Sequence, residues 1–173
     1  MYDYNCIMIG YDSIPEIEKI QESLDKDDIY TGTEEEEKEG VYGLEKESHV
    51  TLLYGIKPEI TWDDIKGYLK PLSEYKAILA NLSTFENEEY DVLKIDVKCP
   101  KMHETNKELR DNIDYVETYP DYHPHMTVAY LKKGTGKKYT KDMLDKIIEP
   151  KAKYFLYSKA GDDKYNKEKH TSL

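Results

Sequence analysis

The chain has 173 residues, with 36 acidic against 25 basic side chains and a formal net charge of −11. That length is one domain of ordinary size. The acidic field argues against long nucleic acid as the main partner, because such binding needs phosphate-neutralising cations.

Aromatic residues make up 12% of the chain and 17 of them are tyrosines, core material that disordered segments lack. Charge is unevenly placed. Residues 132–173 carry a net of +6, which leaves −17 for residues 1–131, and the acidic excess is concentrated in 25–47, around Glu34-Glu35-Glu36-Glu37. Cys6 and Cys99 are too few for a disulfide scaffold and sit in apolar runs, so they read as reduced core residues of a cytoplasmic protein. The opening MYDYNCIMIGYD lacks the pattern of a signal peptide, and no apolar run has membrane-spanning length.

CIMIGY (6–11) reads as a buried strand. A helix opens at Ser13–Pro15 and carries Ile14, Ile17, Ile20 and Leu24 at helical spacing. Residues 25–47 read as an inserted loop or flap. HVTLLYG (49–55) is a second strand, and Thr61 caps the helix TWDDIKGYLKPL. KAILANLSTFE (76–86) and YDVLKIDVKC (90–99) read as strands joined in a hairpin by Asn87, Glu88 and Glu89. MHETNKELRDNID (102–114) is a polar helix, HMTVAYL (125–131) a strand, and KKGTGKK a basic glycine loop. Thr140 caps a helix over 141–148, and KAKYFLYSKA (151–160) is a last strand before a polar tail, 161–173, expected to fray.

Written as elements, this is β-α-β-α-β twice over. The expected architecture is α+β: one domain over 1–160, with lobes 1–86 and 90–160 and two antiparallel-rich sheets around a central cleft. The repeat places His49-Val50-Thr51 and His125-Met126-Thr127 at matching points, each opening a strand. Strand alternation puts each His on the same face as its Thr. Two imidazoles can divide base and acid roles in phosphodiester cleavage near neutral pH. Two threonine hydroxyls can donate to the non-bridging oxygens as charge builds. No metal or other cofactor is required by that chemistry. His123 and His125 form His-x-His, but no third ligand lies nearby.

HVTLLYG and HPHMTVAY resemble the two signature motifs of the two-histidine (2H) phosphoesterase superfamily, the LigT-like fold. The resemblance covers residues 1–160. It implies a bilobal, duplicated fold, with His49 and His125 as the catalytic pair and Thr51 and Thr127 as phosphate binders. The longer motif forms look most like the phage branch that opposes bacterial cyclic-oligonucleotide (CBASS) immunity. That likeness implies a metal-independent hydrolase of cyclic di- and trinucleotides acting in the host cytoplasm.

Bases need stacking platforms. The sequence candidates are Tyr11, ending the first strand, then Tyr122 and Trp62, while Lys132 opens a basic cluster that could rim the cleft. KKGTGKK lacks the spacing of a nucleoside-triphosphate loop. Two other 2H readings stay open, a hydrolase of 2′,3′-cyclic phosphates, 2′,5′ linkages or RNA ends, and a non-catalytic nucleotide sponge. So does an acidic interaction protein that binds through 25–47.

Overall fold

The computed structural model describes residues 3–141, 144, 147–161 and 167–173. Its strands are β1 (Asn5–Tyr11), β2 (His49–Ile56), β3 (Ile78–Glu86), β4 (Tyr90–Lys98), β5 (His125–Lys132), β6 (Ala152–Ser158) and β7 (Lys167–His170). Its helices are α1 (Pro15–Ser23), α2 (Glu34–Glu39), α3 (Trp62–Ile65) and α4 (Pro100–Asn112). All pairing is antiparallel, in two sheets ordered β2-β1-β6-β7 and β3-β4-β5. The architecture is α+β, as the sequence led us to expect. Among the described residues, no helix is long and apolar enough to cross a membrane.

The two sheets cross the sequence division at residues 86 and 90. β3 pairs with β4, and β6 returns to pair with β1. The reason is local for β3: its link to β4 is only Asn87–Glu89, closed by Asn87 N–H donating to the Tyr90 carbonyl at 2.9 Å. A connection that short makes neighbours of the strands it joins. Each sheet therefore combines two strands of one half with the third strand of the other.

The helices cross as well. α1 belongs to the first half but packs on β5; α4 belongs to the second and packs on β2. Beneath both sheets lies one continuous core, with Ile7, Ile9, Ile17, Leu52, Leu93, Leu109 and Val128 among its members. β1 sits between two partners and is buried along its whole length, which is why it reads as an unbroken apolar run.

Four segments differ from the sequence expectation. The helix expected over TWDDIKGYLKPL is α-helical only in α3 and goes on as a 3₁₀ turn at Lys66–Tyr68. The insertion 25–47 is ordered. Thr33 and Glu36 form a capping box for α2, and Gly40 closes that helix in the left-handed region. Residues 43–45 then add to the free edge of β5: Tyr130 N–H donates to the Gly43 carbonyl and Glu45 N–H to the Val128 carbonyl. The polar C-terminal segment supplies β7, held along β6, where it was expected to fray. Half of the helix expected over 141–148 lies outside the described residues; Thr140, its expected cap, instead ends a 3₁₀ turn and bonds back to the Lys137 carbonyl.

Candidate active site

β2 and β5 each lie at one edge of their sheet, and they face each other. Leu44, just before β2, lies opposite Ala129 of β5. Ile56, at the end of β2, lies opposite Tyr115, before β5. Between these points the Tyr122 hydroxyl donates to the Thr51 carbonyl at 2.8 Å. The two motif segments thus run antiparallel past one another, with their strand starts, His49 and His125, at the middle of the seam.

Both strands have the same irregularity at the same place. Met8 pairs with Thr51 and Ile7 with Leu53, so Leu52 is an extra residue. Lys94 pairs with Thr127 and Leu93 with Ala129, so Val128 is an extra residue. A bulge of this kind shifts the alternation by one. His and Thr share a face before it, and the sixth residue of each strand, Tyr54 or Tyr130, returns to that face after it. The exposure agrees: in both strands the first, third and sixth residues are half-buried and the second, fourth and fifth are buried.

Each bulge carbonyl is held by a side-chain amide from the opposite half. Asn106 Nδ2 on α4 donates to the Leu52 carbonyl at 2.6 Å. Gln21 Nε2 on α1 donates to the Val128 carbonyl at 3.0 Å and to the Glu45 carbonyl at 2.7 Å.

The imidazoles are also held alike. His49 Nδ1 lies 2.8 Å from the Glu47 carbonyl, and His125 Nδ1 lies 2.7 Å from the His123 carbonyl. A carbonyl only accepts, so Nδ1 carries the proton in each ring and Nε2 is left to meet a ligand. Burial holds both imidazoles below the ordinary histidine range. Opposing charges moderate or reinforce that shift. Around His49, Glu45 and Glu47 favour the proton and Lys167 disfavours it. Around His125, Lys94 and the other imidazole disfavour it, and Asp96 favours it.

Lys94 was not anticipated. Its side chain is almost wholly buried on the cleft face of β4, with Nζ 2.5 Å from Ser83 Oγ, 2.6 Å from Asp96 Oδ1 and 4.3 Å from the Phe85 ring centre. The Phe85 ring in turn meets the His125 ring edge-on at 5.0 Å. On the other sheet, Tyr154 lies across Gly10, where any Cβ would strike its ring, and donates its hydroxyl to Glu47. Lys167 and Lys169 of β7 each reach the same carboxylate at 3.6 Å. The Cys6 thiol, beside Thr51, is pushed up to about 12 by burial.

The structure brings His49, Thr51, His125 and Thr127 to one face but redistributes the other sequence candidates. Tyr11 lies in the core, 3% exposed, with no hydrogen-bond partner for its hydroxyl among the described residues, so it offers no stacking face. Tyr122 packs edge-on against His103 and pins the Thr51 backbone. Trp62 stacks on His170 at 3.8 Å and packs against Phe155, on the core side of the sheet. A strand neighbouring a motif strand for Tyr11, a helix end for Trp62 and the segment before the second motif for Tyr122 point to the cleft in the sequence, but all three rings pack against the core. Lys132 is exposed at the far end of β5, beyond Tyr130. The basic loop after it wraps the buried Asp91, whose Oδ2 accepts from Gly134 N and Gly136 N, and its lysines pair with Glu86 and Asp28. Among the described residues, no cluster of His, Cys, Asp and Glu has metal-site geometry.

A family model described as the 2′-5′ RNA ligase superfamily matches residues 12–154. No curated protein matches the chain in sequence. Among solved structures, the chain resembles Usb1 of Kluyveromyces marxianus with uridine monophosphate, at a TM-score of 0.57 and 6% identity over 99% of each chain. A second structure of that Usb1 matches at a TM-score of 0.53, again at 6% identity over 99% of each chain.

Proposed function

We propose, because the chain belongs to the 2′-5′ RNA ligase superfamily of two-histidine phosphoesterases, that it is a phosphodiesterase in which His49 and His125 share the proton transfers. One observation carries this: two imidazoles at the middle of the seam, each with Nδ1 fixed by the carbonyl two residues before it. In the reaction one Nε2 takes the proton of an attacking ribose 2′-OH. That oxygen bonds to phosphorus, the P–O5′ bond breaks, and the other imidazole, protonated, gives its proton to O5′. The 2′,3′-cyclic phosphate formed is then opened by water with the roles reversed. Thr51 and Thr127 donate to the non-bridging oxygens. No step needs a metal.

The substrates we infer are cyclic di- and trinucleotides, with Thr51 and Thr127 beside the scissile phosphate and the activity serving a phage against CBASS signalling. The motif wording HVTLLYG and HPHMTVAY supports this reading. A small nucleotide substrate is also in keeping with the uridine monophosphate of the Usb1 structure. Incubation with cyclic dinucleotides, 2′,3′-cyclic mononucleotides and 2′,5′-linked dinucleotides in EDTA, with products read by mass, tests it. Cleavage of the cyclic dinucleotides that persists in chelator is expected. It should fall by about 10²-fold or more in His49→Ala and in His125→Ala. A fully active single variant refutes the pairing.

A further inference from the structure

Along the seam the cleft-facing side chains fall in a mirrored order: Tyr54, Thr51, His49, then His125, Thr127, Tyr130. The two tyrosines are the outer members because the strands run antiparallel, and they face the cleft because of the bulges. Each is backed by further rings. Tyr4 meets Tyr54 edge-on at 5.9 Å, over the apolar patch of Cys6, Met8 and Leu156. Tyr42 and Tyr90 meet Tyr130 edge-on at 5.4 and 5.6 Å.

We propose that Tyr54 and Tyr130 are paired stacking platforms for two nucleobases, one on each side of the phosphate held at the histidines. This rests on the phosphodiesterase reading and narrows its substrate to a two-base unit. The spacing fits. In pairing register two strand steps separate Thr51 from Tyr54, about 7 Å, which leaves room for a ribose between phosphate and base. The charge fits a short ligand. Glu36 and Glu89 lie beside the Tyr42 ring, and their fields help hold its hydroxyl up at about 12, behind burial as the main cause. Carboxylates there repel a further phosphate and accept from the amino edge of a base. A twofold ligand such as a cyclic dinucleotide meets the mirrored array with the same groups at both ends.

The test is binding by calorimetry to the His49→Ala/His125→Ala chain, so that nothing is cleaved, with cyclic di-AMP, cyclic di-GMP and linear ApA as two-base probes and 2′,3′-cyclic AMP as the one-base probe. Adding Tyr54→Ala or Tyr130→Ala should weaken the tightest two-base probe about tenfold or more each, and both together multiplicatively. Tyr→Phe at either position should restore it. The one-base probe should respond to no more than one of the two alanine changes. Equal losses for one-base and two-base probes, failure of Phe to restore, or no binding of any two-base probe overturns the proposal. Binding that obeys these rules without turnover by the unmodified chain leaves the platforms standing and removes the phosphodiesterase.

Discussion

Asn106→Leu removes one hydrogen bond and keeps the number and branching of the side-chain heavy atoms. Asn106 is 5% exposed, and its amide is the side-chain donor to the Leu52 carbonyl at the bulge of β2. Leaving a buried acceptor without its donor costs about 1–3 kcal/mol. In a chain of this size each kcal/mol lowers Tm by about 2–4 °C, so a fall of about 2–12 °C is expected. The bulge also decides which side chains join His49 on the cleft face, so activity should fall further than stability accounts for. A displacement of about 1 Å at a reacting group is enough for about a 10²-fold loss. The control is Thr105→Val on the same helix. It breaks a buried hydrogen bond to the Tyr75 hydroxyl, 2.9 Å long, that touches neither motif strand. Both variants are compared by thermal melting and by cyclic-dinucleotide hydrolysis, assayed well below either Tm. Equal activity losses at equal Tm losses, or an Asn106→Leu chain that melts like the parent, refutes the reasoning.

Two further outcomes concern protons. Lys94 disfavours protonation of His125, so Lys94→Met should move the limb of the kcat/KM profile that belongs to His125 to higher pH, the acid limb if it is the base and the alkaline limb if it is the acid, while Lys94→Arg leaves both in place; two limbs that stay put in Lys94→Met contradict the contact. Both native imidazoles take up protons less readily than in the unfolded chain, where the ordinary value is about 6.5. Their contribution to stability is therefore complete above that value and lost as pH falls below it, until the native groups themselves titrate. Between pH 7.5 and 5.5 the parent should lose more Tm than His49→Gln/His125→Gln, and equal losses would contradict the direction.

Much of this is legible in the sequence. The strands at 6–11, 49–55, 90–99 and 125–131 show themselves as apolar runs, and the two H-x-T motifs show as a repeat because each opens one. What escapes is set by pairing. Strict alternation places Tyr54, five residues after His49, on the face away from it; the bulge at Leu52 reverses that, and nothing in LLYG announces a bulge. The signal that was available is the longer repeat His-x-Thr-x-x-Tyr, present in both motifs. Tyr11 and Trp62 fail as platforms because a place beside a motif strand or at a helix end does not fix the side of the sheet a ring takes. Lys94 reads as one polar residue in a strand until Ser83 and Asp96 appear beside it. The acidic composition of 25–47 suggests solvent, whereas backbone bonds to Val128 and Tyr130 order its second part.

The exchange of third strands and the crossed amides bear on how such a chain could have been assembled. A fragment ending at residue 86 holds β3 without β4, α1 without β5, and a bulge in β2 with no amide to fill it. The complementary fragment has the mirrored deficits. Each lacks the strand, helix and amide contacts that the other supplies. The closing contacts join residues such as Gln21 and Val128, 107 positions apart, so each carries the closure cost of a long loop. If the chain arose by doubling a shorter one, the ancestor satisfied these contacts with a second copy of itself, and the present chain is that dimer made continuous.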